Sequence, residues 1–288
     1  MIRIFSVVYG DAFCKLFNNI TLRSLLRQPL NASVAAGVLW SIYTLRENEE
    51  QIRSIMSLHA SLEINFIDLS GGVSDVLHRC LIAEAKKCFS AKATMIMAPP
   101  DSFWGDGSLP NLIAMAGNRA DLCVLAPHVR VEHEPFLQAL PEGVLANPQL
   151  VSLALSVLHR VWRECDPDQS MLNTPESGHT LRKLPVPGHY AVCHLLPTPY
   201  LARFTEADIV FLESLGGDSW DHRWPAVLAD AGRQRVIGSS DGFFLAELTN
   251  PATHFPPMQP CREFEDAFNS EHSHNKINRN MFSIWRAG

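Results

Sequence analysis

Three short stretches collect the side chains of this chain that are equipped for chemistry. The apolar run Ala93-Thr94-Met95-Ile96-Met97-Ala98 stops at Pro99-Pro100 and is followed at once by Asp101, with Asp106 a little further on. A carboxylate beyond the end of a strand is a hard oxygen donor for a divalent cation, and Asp and Gly after Pro-Pro are equally common turn formers. Gly216-Gly217-Asp218-Ser219-Trp220-Asp221-His222-Arg223-Trp224 combines carboxylates, an imidazole, a guanidinium and two indoles. Such groups hydrogen-bond hydroxyls and stack on flat faces. Gly238-Ser239-Ser240-Asp241-Gly242 offers one more acid, in a pair typical of turns.

Other chemistries lack their residues. The chain has 12 histidines, but none falls in an HExxH or comparable zinc spacing. His189 and His194 lie across a strand-like piece whose alternation would send them to opposite faces. There is no GxSxG elbow and no Gly-rich loop ending in Lys-Ser or Lys-Thr. The 7 cysteines are scattered and never form CxxC, as expected of free thiols in a reducing compartment. A formal charge of −6, with 24 basic against 30 acidic residues and no Lys/Arg run, argues against a nucleic-acid partner. No secretory signal and no apolar stretch of membrane-spanning length is visible, so the expected location is the cytoplasm.

These residues need a scaffold, and the first 126 positions spell one. Ile4, Val7 and Val8 form an apolar strand, Gly10 permits a sharp turn, and a helix follows with Phe13, Leu16, Phe17, Ile20, Leu22, Leu25 and Leu26 on a broad apolar stripe, ended by Pro29. Strands are expected at Val38 to Thr44, Ile64 to Ile67, Ala93 to Ala98 and Asp121 to Ala126. Helices are expected at Glu47 to Leu58, from Ser74 or Asp75 onward, and from Gly107-Ser108 onward. Repeated strand and helix argue for an α/β fold with a mostly parallel sheet covered on both faces, which binds ligands at the carboxyl ends of its strands.

The second half reads less regularly. A helix spans Asn147 to Val161, and Glu164 to Gly188 has the composition of a long surface loop or lid. Strand-like pieces occur at Tyr190 to Leu195, Ile209 to Leu212 and Phe243 to Ala246. The expected organisation is a ligand-binding α/β unit over 1–135, an irregular acceptor and lid region continuous with it over 136–270, and a polar tail over 271–288.

Val7-Val8-Tyr9-Gly10 followed by Leu22-Arg23-Ser24-Leu25-Leu26-Arg27-Gln28 resembles the opening of the nucleotide-sugar-dependent glycosyltransferases with the GT-A fold. Met95 to Asp101 followed by Gly107-Ser108-Leu109 resembles the strand carrying that family's DxD motif and the helix after it. Pro99 stands where the first aspartate of the motif belongs, so the motif is degenerate. The resemblance implies a Rossmann-like domain that binds a nucleotide sugar and passes the sugar to an acceptor hydroxyl. It implies Mn²⁺ or Mg²⁺ as cofactor, held at Asp101 with help from Asp106, to neutralise the departing diphosphate. Tyr9, Gly10, Tyr43, Thr44 and Asp68 are then expected around the nucleoside, and His194 near the substrate. Asp221 or Asp241 is expected to take the acceptor's proton. The alternative implied by Pro99 is a non-catalytic binding protein on the same fold.

Overall fold

The computed structural model describes residues 1–57, 61–126, 128–141, 146–159, 164–165, 179–194, 198–217, 220–250 and 282–288. Its main sheet holds seven strands: β1 (Ile2–Val7), β2 (Val38–Thr44), β3 (Leu62–Phe66), β4 (Thr94–Met97), β6 (Cys123–Ala126), β11 (Thr198–Ala202) and β12 (Gln234–Val236). They lie in the order β12-β6-β11-β4-β1-β2-β3. Parallel pairing joins β4, β1, β2 and β3, and also β12 with β6. Only β11 runs against its neighbours, wedged between β4 and β6. The α/β, mostly parallel architecture follows from strands such as β1 and β6, which are apolar on both faces and must be covered on both.

Side-chain alternation divides this sheet between two cores. Ile4, Trp40, Ile42, Ile96 and Val124 face one, with Phe17, Leu25 and Leu112 from the helices beneath. Phe5, Val7, Tyr43, Met95, Cys123 and Leu125 face the other, against Leu81, Ala85 and Cys88. The opening helical segment runs as α1 (Asp11–Leu16), a π-helical turn Phe17–Leu22, and α2 (Arg23–Leu26). After it come α3 (Ala32–Ala36), α4 (Glu49–Met56), α5 (Val73–Ala91), α6 (Ser108–Ala116), α7 (His133–Ala139) and α8 (Asn147–Ser156). The second half adds α9 (Glu206–Glu213) and α10 (Trp220–Asp230). Among the described residues no helix is long and apolar enough to cross a membrane.

Two smaller sheets complete the chain. One joins β5 (Ser102–Trp104), β13 (Leu245–Thr249) and β7 (Val129–Glu132), with β13 in the middle. The other joins β14 (Phe282–Arg286), β10 (His189–His194), β9 (His179–Lys183) and β8 (Glu164–Cys165). The chain's last strand therefore pairs with β10, and the stretch past 271 is not wholly the polar tail its composition suggests. The second half also gives β11 and β12 to the main sheet, so residue 135 does not separate one sheet from another.

Two stretches differ in kind from their expectations, and the first, Glu164 to Gly188, expected as a surface loop or lid, contains β8 and β9. Ile209 to Leu212 lies inside the helix α9, not a strand. Thr205 and Asp208 form a capping box, with Thr205 N donating to Asp208 Oδ2 at 2.7 Å and Asp208 N to Thr205 Oγ1 at 3.3 Å. A short apolar run has no period of its own, and the cap before it decided the outcome.

Candidate functional site

A cavity of about 500 Å³ opens at the carboxyl edge of the main sheet. Val7 and Tyr9 reach it from the end of β1, and Ala98 to Asp101 from the end of β4. Thr198, Pro199 and Tyr200 open β11, which starts at this edge because it runs antiparallel to β4. Val73, Leu77 and Leu81 of α5 and Trp220 of α10 close one flank, and His128, Arg130 and Glu247 the other.

The loop carrying Asp101 is tied down from several sides. Ser6 Oγ donates to Ala98 O at 2.5 Å, and Ser102 Oγ to Pro99 O at 2.6 Å. Thr21 Oγ1 accepts from Ser102 N at 3.1 Å and lies 3.1 and 2.9 Å from the carbonyls of Pro99 and Ser102, to which its proton can be donated. Leu248 N donates to Asp101 O at 2.8 Å, which brings β13 alongside. Further down the same helical segment, Gln28 Nε2 donates to Gly105 O at 3.0 Å, so the Ser24-to-Gln28 stretch serves as a clamp on the region following the carboxylate. At the other end, Gly10 has φ +76° and donates its N–H to Asn48 Oδ1 at 2.9 Å, a left-handed turn that any side chain would strain.

Asp101 meets Glu247 in this cavity. Burial, and then the charge of Glu247, push the Asp101 carboxyl up to about 7. Glu247 is held below its ordinary range: burial alone would raise it, but the Arg130 guanidinium outweighs that, with Arg130 Nε 3.0 Å from Glu247 Oε1. The two residues are direct partners across the parallel β13–β7 pair. His128 Nε2 lies 3.4 Å from Glu247 Oε2, and burial drives this imidazole down to about 4, so it is neutral at physiological pH and the contact is dipolar rather than ionic. Of two facing carboxylates, one is thus neutralised by an arginine and the other is left to hold a proton or find a cation.

The remaining expected residues are distributed unevenly. Tyr9 lines the cavity with Asp101. Tyr43 does not: it is 4% exposed and its hydroxyl donates to Glu84 Oε2 at 3.2 Å, which corrects the expectation that its ring stacks on a base. The reason is register, since odd-numbered residues of β1 and β2 face α5. There Arg3 Nε binds Glu84 Oε1 at 2.6 Å, and Glu63 pairs with both Arg3 and Lys87. Thr44 is fully buried at the end of β2 and does not line the cavity. Asp68 is exposed and spends its carboxylate on Ser70 N at 2.9 Å and Ser70 Oγ at 2.8 Å, a turn-capping role that its lowered pKa reflects.

Asp106 sits in the turn before α6 and also lies off the cavity. Asp241 is ion-paired with Arg286 at 3.0 Å in the turn preceding β13 and does not line the cavity, so the expectation that it acts as a base at the cleft is corrected. Asp221 follows the cavity-lining Trp220 in the first turn of α10. Asp218 lies outside the described residues. His194 ends β10 in the four-stranded sheet, not a strand of the main sheet.

Sequence reasoning passed over Glu247, Arg130 and His128. A signal existed in Val129-Arg130-Val131-Glu132, where charge alternates with apolar residues, and in the single acid of Leu245-Ala246-Glu247-Leu248. Neither segment reveals that the other is its partner.

Asp101 is a carboxylate of this cavity that could hold a divalent cation only with further oxygens from outside the chain. Among the described residues no three or more His, Cys, Asp or Glu side chains converge as an all-protein cage. Mg²⁺-like sites, however, are often built from one or two carboxylates plus substrate oxygens. Asp101 is such a carboxylate, and a cation beside it would relieve its repulsion with Glu247.

No protein-family model matches the chain, and no curated protein does either. Among solved structures it is similar to S. aureus TarS 1-349 in complex with UDP, at 12% identity and a TM-score of 0.45, covering 85% of this chain and 60% of that one. It is also similar to a putative glucose-1-phosphate thymidylyltransferase from Bacillus anthracis in complex with a sucrose, at 11% identity and a TM-score of 0.42, covering 97% and 96%. Mouse xyloside xylosyltransferase 1 in its apo form matches at 11% identity and a TM-score of 0.33, covering 48% and 57%. The chain spans 37% of the longer S. aureus TarS structure. Likeness of this depth concerns the course of the backbone and leaves ligand and reaction to the side chains.

Proposed function

We propose that this protein is a nucleotide-sugar-dependent glycosyltransferase. The observation that carries the reading is the position of Asp101, a strongly desolvated carboxylate beside Glu247 in a cavity at the carboxyl edge of a mostly parallel sheet. That edge is where open α/β sheets bind their ligands. The apolar flank from Leu77, Leu81 and Trp220 suits the flat nucleoside, and Tyr9 stands at the turn beside it. Glu247, fixed by Arg130, keeps the neighbouring wall charged and ordered.

In the transfer, the acceptor oxygen bonds to the anomeric carbon while the bond from that carbon to the diphosphate breaks. The electron pair leaves on the nucleoside diphosphate, and the acceptor's hydroxyl proton passes to a general base, the role for which the sequence offers Asp221. Mn²⁺ or Mg²⁺, when bound, supplies Lewis-acid neutralisation of the departing diphosphate. Asp101 is the residue that would hold it.

The test is calorimetric titration with UDP and UDP-sugars, with Mn²⁺ or with a chelator. Metal-enhanced binding that is lost in Asp101→Ala supports the reading, and equal binding by the variant removes Asp101 from it. A second reading, a binding protein without turnover, is favoured by Pro99 in place of an acid and by the commitment of both Glu247 oxygens to Arg130 and His128. It predicts tight nucleotide binding with neither transfer nor hydrolysis of the sugar.

A further inference from the structure

A second cavity, of about 830 Å³, meets the first at the same pair of carboxylates: Phe13, Asp101 and Glu247 line both. A molecule in the second space therefore faces the centre of the first from across a shared wall. Its own walls come from α1 and the π-helical turn, from α7, and from the end of β13.

Four features describe the occupant. Thr249 lines this cavity, is 7% exposed, and its Oγ1 is buried without a hydrogen-bond partner among the described residues. A buried hydroxyl left unpaired is costly, so its persistence points to a ligand group that completes it. Phe13 is 41% exposed on the shared wall, an aromatic face offered to solvent in both cavities. Leu16, Ile20 and Leu137 give the space an apolar side. Its lining carries the acids Asp11, Asp101 and Glu247 against Lys15 and His133, a balance that disfavours an anionic occupant. The π-helical turn supplies Ile20 and Asn19, and such turns recur where a helix is bent to a functional purpose.

We propose that this second cavity binds a neutral glycoside with an apolar aglycone, one sugar hydroxyl pairing with Thr249 and the sugar face lying on Phe13. That the glycoside is the acceptor rests on the glycosyl-transfer reading; that it binds here does not.

The experiment is saturation-transfer NMR and calorimetry with octyl β-D-glucoside below its micelle concentration, and with methyl β-D-glucoside for comparison. Wild type, Thr249→Val and Leu137→Trp are compared, and each variant's fold is checked by circular dichroism. Octyl glucoside should bind wild type about tenfold more tightly than methyl glucoside, lose about tenfold in Thr249→Val, and lose detectable binding in Leu137→Trp. UDP binding should be unchanged in both variants. Failure of octyl glucoside to bind wild type, or equal binding by Thr249→Val, overturns the proposal. If UDP fails to bind wild type while the glycoside behaves as expected, the transferase reading falls and the glycoside site stands.

Discussion

Replacing Asp101 with asparagine should change how the protein's stability responds to pH. In the folded chain the Asp101 carboxyl is raised from an ordinary 3.8 to about 7, by burial first and Glu247 second. Between those values the folded state holds a proton that the unfolded state has released. Protonation thus favours folding below about pH 4 and up to neutrality, and the wild type loses that advantage as pH rises through about 7. Each tenfold change in proton activity is worth about 1.4 kcal/mol, so the ceiling on the loss is about 4 kcal/mol. Asp101 stands in a water-accessible cavity and shares its titration with Glu247, which reduces the expected loss to on the order of 2 kcal/mol. Asparagine keeps the shape and cannot ionise. Only the part of that window between pH 5 and about 7 falls in the assay, on the order of 1 kcal/mol, so the variant's melting temperature relative to wild type should be higher at pH 8 than at pH 5 by roughly 2 °C for a chain of this size. Differential scanning calorimetry across that range reads the difference directly. A constant offset between the two proteins from pH 5 to pH 8 would refute a desolvated Asp101 beside a charged Glu247.

Two further substitutions test the assignments around β1 and β2. Glu84→Ala removes the 2.6 Å Nε–Oε1 contact and leaves the buried Arg3 only its pair with Glu63, and should cost about 2–3 kcal/mol in denaturant unfolding; replacing Arg3 and Glu84 together with apolar residues should cost less than the single change. Tyr43→Phe removes a hydrogen bond to Glu84 and should cost about 1 kcal/mol, with nucleotide affinity unchanged in titration because the ring faces α5 rather than the cavity.

The main alternation of strands and helices over the first 126 residues was legible in the sequence, although the short α3 and β5 were not part of it. Apolar runs bounded by Gly, Pro and Asp carry their period locally: Ile2–Val7, Val38–Thr44 and Thr94–Met97 all lie where composition put them. The placing of Asp101 beyond a buried strand was legible for the same reason, as was the special turn at Gly10. Folding alone decided the company each residue keeps. Tyr43 lies in the core because parity along β2 is set by the pairing of β1 with β2, and Glu63 and Lys87, far off in the chain, complete its surroundings. Glu247 joins Asp101 and Arg130 only because β13 lies between β5 and β7, bringing residues more than a hundred positions apart into contact. Periodicity is a property of neighbours along the chain, whereas desolvation and Coulomb coupling depend on neighbours in space. The elements could therefore be read from the sequence, but the charge balance of the cleft required the tertiary structure.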